Sequence, residues 1–200
     1  MAETVSLYID YRSPYSYLAK DEAYQLEHDF DIKLEWFPYY IDLTGAYGGT
    51  LEQRTPRDWT KVKYLYMDCR RLAQRKGLTI RGTIKIYDPT LVHIAMLWAQ
   101  HHNVFRTFHD DVLPQFWNRE FDIEDEEAVK RALQNAGAPL NGFDDFLVNE
   151  GKTLEQKITA DADARNVFGV PTFIFRDEVF WGTDRIQMLR QVLEDSGLRS

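Results

Sequence analysis

The chain of 200 residues carries one cysteine, Cys69. A single thiol excludes an intrachain disulfide, a cysteine-based metal site and disulfide exchange by a dithiol pair, and it suits a cytoplasmic setting. Its position in mid-helix marks it as buried rather than reactive. Long apolar runs are also missing. Nothing approaches the ~20 residues of a membrane span, and the first residues lack a basic region followed by an apolar signal core, so no membrane partner is expected. Basic residues are the minority, 24 Lys plus Arg against 32 Asp plus Glu for a formal charge of −8, which argues against nucleic acid as the main partner. The five histidines, among them His101, His102 and His109, form no His-Glu-x-x-His pattern, so no metal is expected and they read as solvated helix-end residues. Gly45, Gly48 and Gly49 lack the lysine and the strand-to-helix context of a phosphate loop. There is no internal repeat, low-complexity tract or flexible linker.

What is present suffices for one domain or a domain with an insertion, since 44% of residues are hydrophobic and 14% aromatic. The chain is organised around Asp10-Tyr11-Arg12-Ser13-Pro14-Tyr15-Ser16-Tyr17. Before it Val5, Leu7 and Ile9 alternate as in a strand, and after it residues 15–28 repeat with a helical period. Ser13 is a preferred N-cap residue, and Pro14 fits a first helical turn because its missing N–H would be unpaired there anyway. The turn therefore presents a hydroxyl at the positive end of a helix dipole, where anions are stabilised. Ser13 and Ser16 have the spacing of a Cys-x-x-Cys motif with oxygen for both sulfurs. Such a turn can hold a thiolate brought by a cofactor.

Further along, residues 32–41 read as a second strand, followed by an exposed, mobile glycine-rich loop over 44–50. Thr55 and Pro56 open a helix that runs to Lys76, with Gly77 as its stop. From Thr90 to about Asn166 helical periods dominate, broken near Asn103, Asn118 and the 137–142 turn. Strand signals return at 170–175 and 178–181, with Arg176-Asp177 between them, and a helix spans 183–196. This order, βαβ, then helices, then ββα, predicts an α/β fold with one mixed sheet and an inserted all-helical block. The domains are 1–80 with 168–200, and the insertion 81–167.

The stretch Gly169-Val170-Pro171-Thr172-Phe173 places a proline at the mouth of a strand. A cis bond there would expose the backbone of Val170 to a peptide-like ligand, whereas a trans bond would make it an ordinary loop. Taken with the Ser13-Pro14-Tyr15-Ser16 turn, the helical block and Phe180-Trp181-Gly182-Thr183-Asp184-Arg185, the chain resembles the thioredoxin-like, DsbA-related branch that holds 2-hydroxychromene-2-carboxylate isomerases and kappa-class glutathione transferases. The resemblance spans about Val5 to Leu193. It implies a cytoplasmic homodimer that uses glutathione as cofactor on a small aromatic or electrophilic substrate, the thiolate adding to a conjugated ring carbon and leaving after bond rotation. It implies that Ser13 faces the glutathione sulfur as the catalytic group, that Val170 and Pro171 pair with the cysteinyl unit, and that Thr183 and Asp184 hold the γ-glutamyl end. Tyr15, Lys63 and Trp181 complete the implied cofactor contacts.

Each residue also has a plainer role open to it. Ser13 can be only an N-cap, Asp184 only a first-turn acid, Lys63 only a solvated lysine, and the chain a thioredoxin-fold binding protein without activity. Asparagines that family members often carry after the second strand and near the start of the helical block are replaced here by the 44–50 segment and Asp88-Pro89-Thr90. Asp88 would repel a carboxylate substrate unless Arg12, Lys63 or Arg81 balances it. The aromatic set Tyr40, Tyr47, Tyr66, Trp98, Phe105, Phe108, Phe116 and Trp117 belongs mostly to the core, with a share left to wall an apolar pocket.

Overall fold

The computed structural model describes residues 2–46 and 48–200. Tyr47 lies outside them. The alternation of the first residues builds strand β1 (Glu3–Ile9), which is followed by helix α1 (Pro14–Asp29) and strand β2 (Ile32–Pro38). β1 and β2 run parallel, with Val5 opposite Leu34 and Leu7 opposite Trp36. A parallel pair needs a crossover, and α1 supplies it. β2 ends three residues earlier than expected, at Pro38, since proline cannot donate to the ladder.

A single helical turn, α2 (Leu43–Ala46), occupies the start of the glycine-rich segment. Expected as a loop, it forms because the Asp42 carboxylate accepts the N–H groups of Thr44 and Gly45 and the Thr44 hydroxyl. Helix α3 (Pro56–Arg75) opens on a reciprocal cap in which Thr55 and Asp58 each accept the other's backbone N–H. Five further helices follow: α4 (Thr90–His101), α5 (Phe105–Trp117), α6 (Glu126–Ala136), α7 (Phe143–Val148) and α8 (Glu150–Ala164). α4, α5 and α6 end just before left-handed residues, Asn103, Arg119 and Gly137, and Gly142, also left-handed, opens α7. α4 is buried over most of its circumference and is the hub against which α5, α6, α7 and α8 pack.

The chain then returns to the sheet as the hairpin β3 (Thr172–Phe175) and β4 (Glu178–Trp181). β3 pairs antiparallel with β1, giving the order β2-β1-β3-β4 with β1 central and almost wholly buried. The expected final helix is split. Gly182, at φ +104°, turns the chain into a 3-10 turn over Thr183–Arg185, and only then does α9 (Ile186–Asp195) begin. Phe108, Phe116, Trp98 and Trp117 are core residues, whereas Tyr40 stays exposed and Tyr66 and Phe105 are half-buried at the edge. Among the described residues no helix is long and apolar enough to cross a membrane.

Candidate active site

Four consecutive residues leave β1, and each is tied to a different part of the molecule. Asp10 is wholly buried, and its carboxylate accepts the Arg12 N–H at 2.8 Å, the Arg12 guanidinium at 2.6–3.1 Å and the Ile41 N–H at 3.2 Å. Tyr11 lies 3.0 Å from the His109 Nδ1 of α5, with burial pushing its phenol well above the ordinary tyrosine range. Arg12 donates its remaining N–H groups to the Tyr87 carbonyl at 3.1 Å and the Ile41 carbonyl at 2.8 Å, under the exposed ring of Tyr40. Arg12 is therefore not the spare cation that a carboxylate substrate would need.

Ser13 is the fourth. It caps α1 by accepting the Ser16 N–H at 3.2 Å, and its own hydroxyl donates to the Val170 carbonyl at 3.4 Å. The Val170–Pro171 bond is cis. Val170 is buried and its N–H donates to no group among the described residues, so that donor is available to an incoming backbone. The loop is held by Thr172, which donates to the Gly169 carbonyl at 2.7 Å, and by the Gly182 N–H, which donates to the Pro171 carbonyl at 2.9 Å. Gly169 has a steric reason: a Cβ there would come within 2.6 Å of the Trp181 indole nitrogen. Trp181, half exposed, lies over that glycine and meets Phe168 edge to face at 4.7 Å.

The fold thus gathers Ser13, Val170, Pro171, Trp181 and the Thr183–Arg185 turn, which packs against α1. Asp184 sits in that turn and not in the first turn of the last helix. Its exposed carboxylate is 3.2 Å from Arg185 of the same turn. Tyr15 points the other way, donating to Asp68 of α3 at 2.7 Å; burial is the main reason its phenol titrates far above the usual range. Lys63, one and a half turns earlier on α3, is exposed and has no hydrogen bond or ion pair among the described residues, and the structure does not join it to the Ser13 turn. Cys69 is buried beneath Tyr15 with its thiol pushed up to about 12 by burial, so it is no nucleophile.

An open groove of about 520 Å³ runs beside the cis-proline loop, lined by Tyr39, Ile41, Asp42, Asp163, Val167 and Phe168. Its rim is acidic. The Thr44 hydroxyl and the Gly45 N–H hold Asp42 below the usual carboxylate range, and Tyr39 donates to Asp163 at 2.9 Å.

Composition and spacing pointed to solvated histidines, and two are not. His93 and His109 are both fully buried, one on α4 facing Asp10, the other on α5 against Tyr11, Trp36 and Phe105. Burial drives His109 down to about 3, so it is neutral in the folded protein. An unfolded histidine titrates near 6.5, and between these values the unfolded chain holds the extra proton. Stability from this group is therefore full above pH 6.5 and is lost as pH falls toward 3. Relative to His109→Gln, the wild type should lose roughly 2 kcal/mol between pH 6.5 and 4.5 in urea titrations. Equal losses in both proteins would mean that His109 protonates without cost.

A family model described as the DSBA-like thioredoxin domain matches residues 4–194. The chain belongs to that family. Among curated relatives, the 2-hydroxychromene-2-carboxylate isomerase of Sphingobium xenophagum is 26% identical over 98% of this chain and 100% of its own length. The Pseudomonas putida enzyme of the same name is 25% identical over 94% and 93%. A solved structure of a 2-hydroxychromene-2-carboxylate isomerase superposes with a TM-score of 0.80 at 26% identity, over 96% of this chain and 95% of the other. A probable DsbA oxidoreductase from Streptomyces coelicolor, at 16% identity and a TM-score of 0.75 over 96% and 88%, shares the fold. The thioredoxin-like, DsbA-type fold expected from the motifs is the fold observed.

Proposed function

We propose that this protein is a glutathione-dependent isomerase acting on 2-hydroxychromene-2-carboxylate-like aromatic substrates. One observation carries the reading. A serine hydroxyl at a helix N-cap faces the carbonyl of a buried cis-proline loop, in a chain whose one cysteine is buried and whose full-length relatives are isomerases. Glutathione fits the residues present: the Val170 N–H has no partner among the described residues, the Ser13 hydroxyl proton is engaged only by a long contact, and Asp184 is exposed for an ammonium. When bound, glutathione supplies a nucleophilic sulfur. Ser13 donates to that sulfur while the α1 N-terminus favours its anion, and charge build-up strengthens both effects. The Val170 backbone fixes the cysteinyl unit, Asp184 orients the γ-glutamyl end, and Trp181 keeps water from one side.

A second reading, a kappa-like transferase that conjugates uncharged electrophiles, is favoured by the acidic rim of Asp42 and Asp163, which suits a neutral substrate better than a carboxylate. Following 2-hydroxychromene-2-carboxylate by its ultraviolet absorbance separates the two. Isomerisation that needs glutathione yet leaves it unconsumed is the expected result. A stable conjugate with neutral electrophiles, and no turnover of the carboxylate, would support the transferase instead. Absence of both, together with no thermal shift at saturating glutathione, where ligand at 100 times its Kd adds ~2.7 kcal/mol, would sink both readings.

A further inference from the structure

Behind the Ser13 turn lies a closed cluster of four ionisable side chains: Asp10, Arg12, His93 and Glu155, each buried. Asp10 and Arg12 belong to the β1–α1 turn, His93 to α4 and Glu155 to α8. The His93 Nε2 is 3.8 Å from Asp10 Oδ1, and its Nδ1 is 3.5 Å from Glu155 Oε1. Among the described residues neither ring nitrogen has a hydrogen-bond partner, and neither does Glu155 Oε1. Arg12 is spent on Asp10.

We propose that His93 is held as an imidazolium and acts as a positioning residue, an ion-paired cation set between the carboxylates behind Ser13 and on α8. Counting charges leads there. Two buried carboxylates face one buried guanidinium, so with a neutral imidazole the cluster holds an uncompensated negative charge, a costly state in a low-dielectric interior. The geometry agrees. Both contacts are ion-pair distances and not hydrogen bonds; a neutral imidazole would turn a lone pair toward one of the two carboxylate oxygens, whereas an imidazolium turns an N–H edge toward each.

Every other neighbour leaves that count unrelieved. From the turn, Tyr11 packs at 6.2 Å between ring centres and stays a neutral phenol; beyond it His109 of α5 is neutral too. Asp88, in the segment before α4, adds a further negative charge in His93's field. Among the described residues, the elements α6, α7 and β2, which also pack on α4, place no ion-pair partner within reach of His93. The consequence is positional. Asp10 fixes the backbone that carries Ser13, and Glu155 belongs to the helix whose C-terminal extension leads into Val170, so one imidazolium ties together both sides of the Ser13–Val170 contact. This holds whichever substrate the site takes.

Nitrogen-15 NMR of the histidine-labelled wild type at pH 7, with His93 connected through its bonds to its backbone, should show both ring nitrogens protonated. Glu155→Gln removes one carboxylate and should raise the neutral share of His93 at the same pH. His93→Gln should lower the Tm by about 5 °C or more, and His93→Gln/Glu155→Gln should recover at least about half of that loss, because the double variant restores charge balance. A neutral, single-tautomer spectrum for His93 in the wild type overturns the proposal even if His93→Gln fails to fold. So does a double variant no more stable than His93→Gln, since a purely space-filling role would not be rescued by a change on another helix.

Discussion

Replacing Arg12 by alanine is expected to cost about 3–5 kcal/mol of stability, because removing one partner of a buried ion pair leaves the other charge buried and uncompensated. Asp10 is wholly buried and would keep only backbone donors and the His93 ring that it shares with Glu155. The loss is larger than that of an ordinary ion pair because Arg12 also satisfies the Tyr87 and Ile41 carbonyls, which belong to the segments flanking the Ser13 turn. At 200 residues this corresponds to a fall in Tm of roughly 6–20 °C, read by calorimetry. Arg12→Lys should recover little, since an ammonium cannot reproduce the bidentate fork to Asp10 while reaching two carbonyls. A loss below about 1 kcal/mol in Arg12→Ala would show that the pair is screened like an exposed one, and the view of this cluster as a buried anchor would fail.

The Arg12 anchor also shows where sequence reasoning stops. The Ser13 cap was legible because it depends on neighbours: a serine, a proline and a helical period within a few residues. The hairpin and its proline were legible for the same reason, and the link between Ser13 and Val170 followed from two motifs whose company is specific. Arg12 entered only as a charge that could balance Asp88, because nothing local says that Ile41 and Tyr87, 29 and 75 residues from Arg12, will close over it. His93 stayed hidden for a different reason. α4 is apolar on nearly every side, so its period does not say which face meets the sheet, and a lone histidine in such a helix has no readable direction. The split of the last helix was missed because Gly182 adopts a positive φ after β4, a constraint of how the strand exits and not of helical propensity. Lys63 was placed near the ligand by resemblance alone, and on α3 it is exposed, with no hydrogen bond or ion pair among the described residues to say what it faces.

On the proposed glutathione-dependent mechanism, Ser13→Ala is expected to slow turnover by the order of 10²-fold while weakening glutathione binding far less. A hydroxyl has one proton to give, and in the free protein it goes to the Val170 carbonyl across 3.4 Å, a long and weak contact. Bound thiolate would be a better acceptor, so the hydroxyl exchanges a poor neutral bond for a charge-assisted one, which gains strength as charge develops on sulfur. Loss of one such donor typically costs 10²–10³ in kcat, about 2.7–4 kcal/mol. The cap is a smaller matter: losing it costs ~0.5–2 kcal/mol, so the variant should fold and its activity can be measured. The thiolate absorbance of bound glutathione, followed against pH, isolates the effect from binding. In wild type the anion should persist to lower pH than in Ser13→Ala. Ser13→Cys gives a second line of attack, because a cysteine at this helix N-terminus would have a lowered pKa and would capture oxidised glutathione as a mixed disulfide. If wild type and Ser13→Ala titrate at the same midpoint with glutathione demonstrably bound, the hydroxyl is only a helix cap, and nucleophile activation must come from the helix terminus alone.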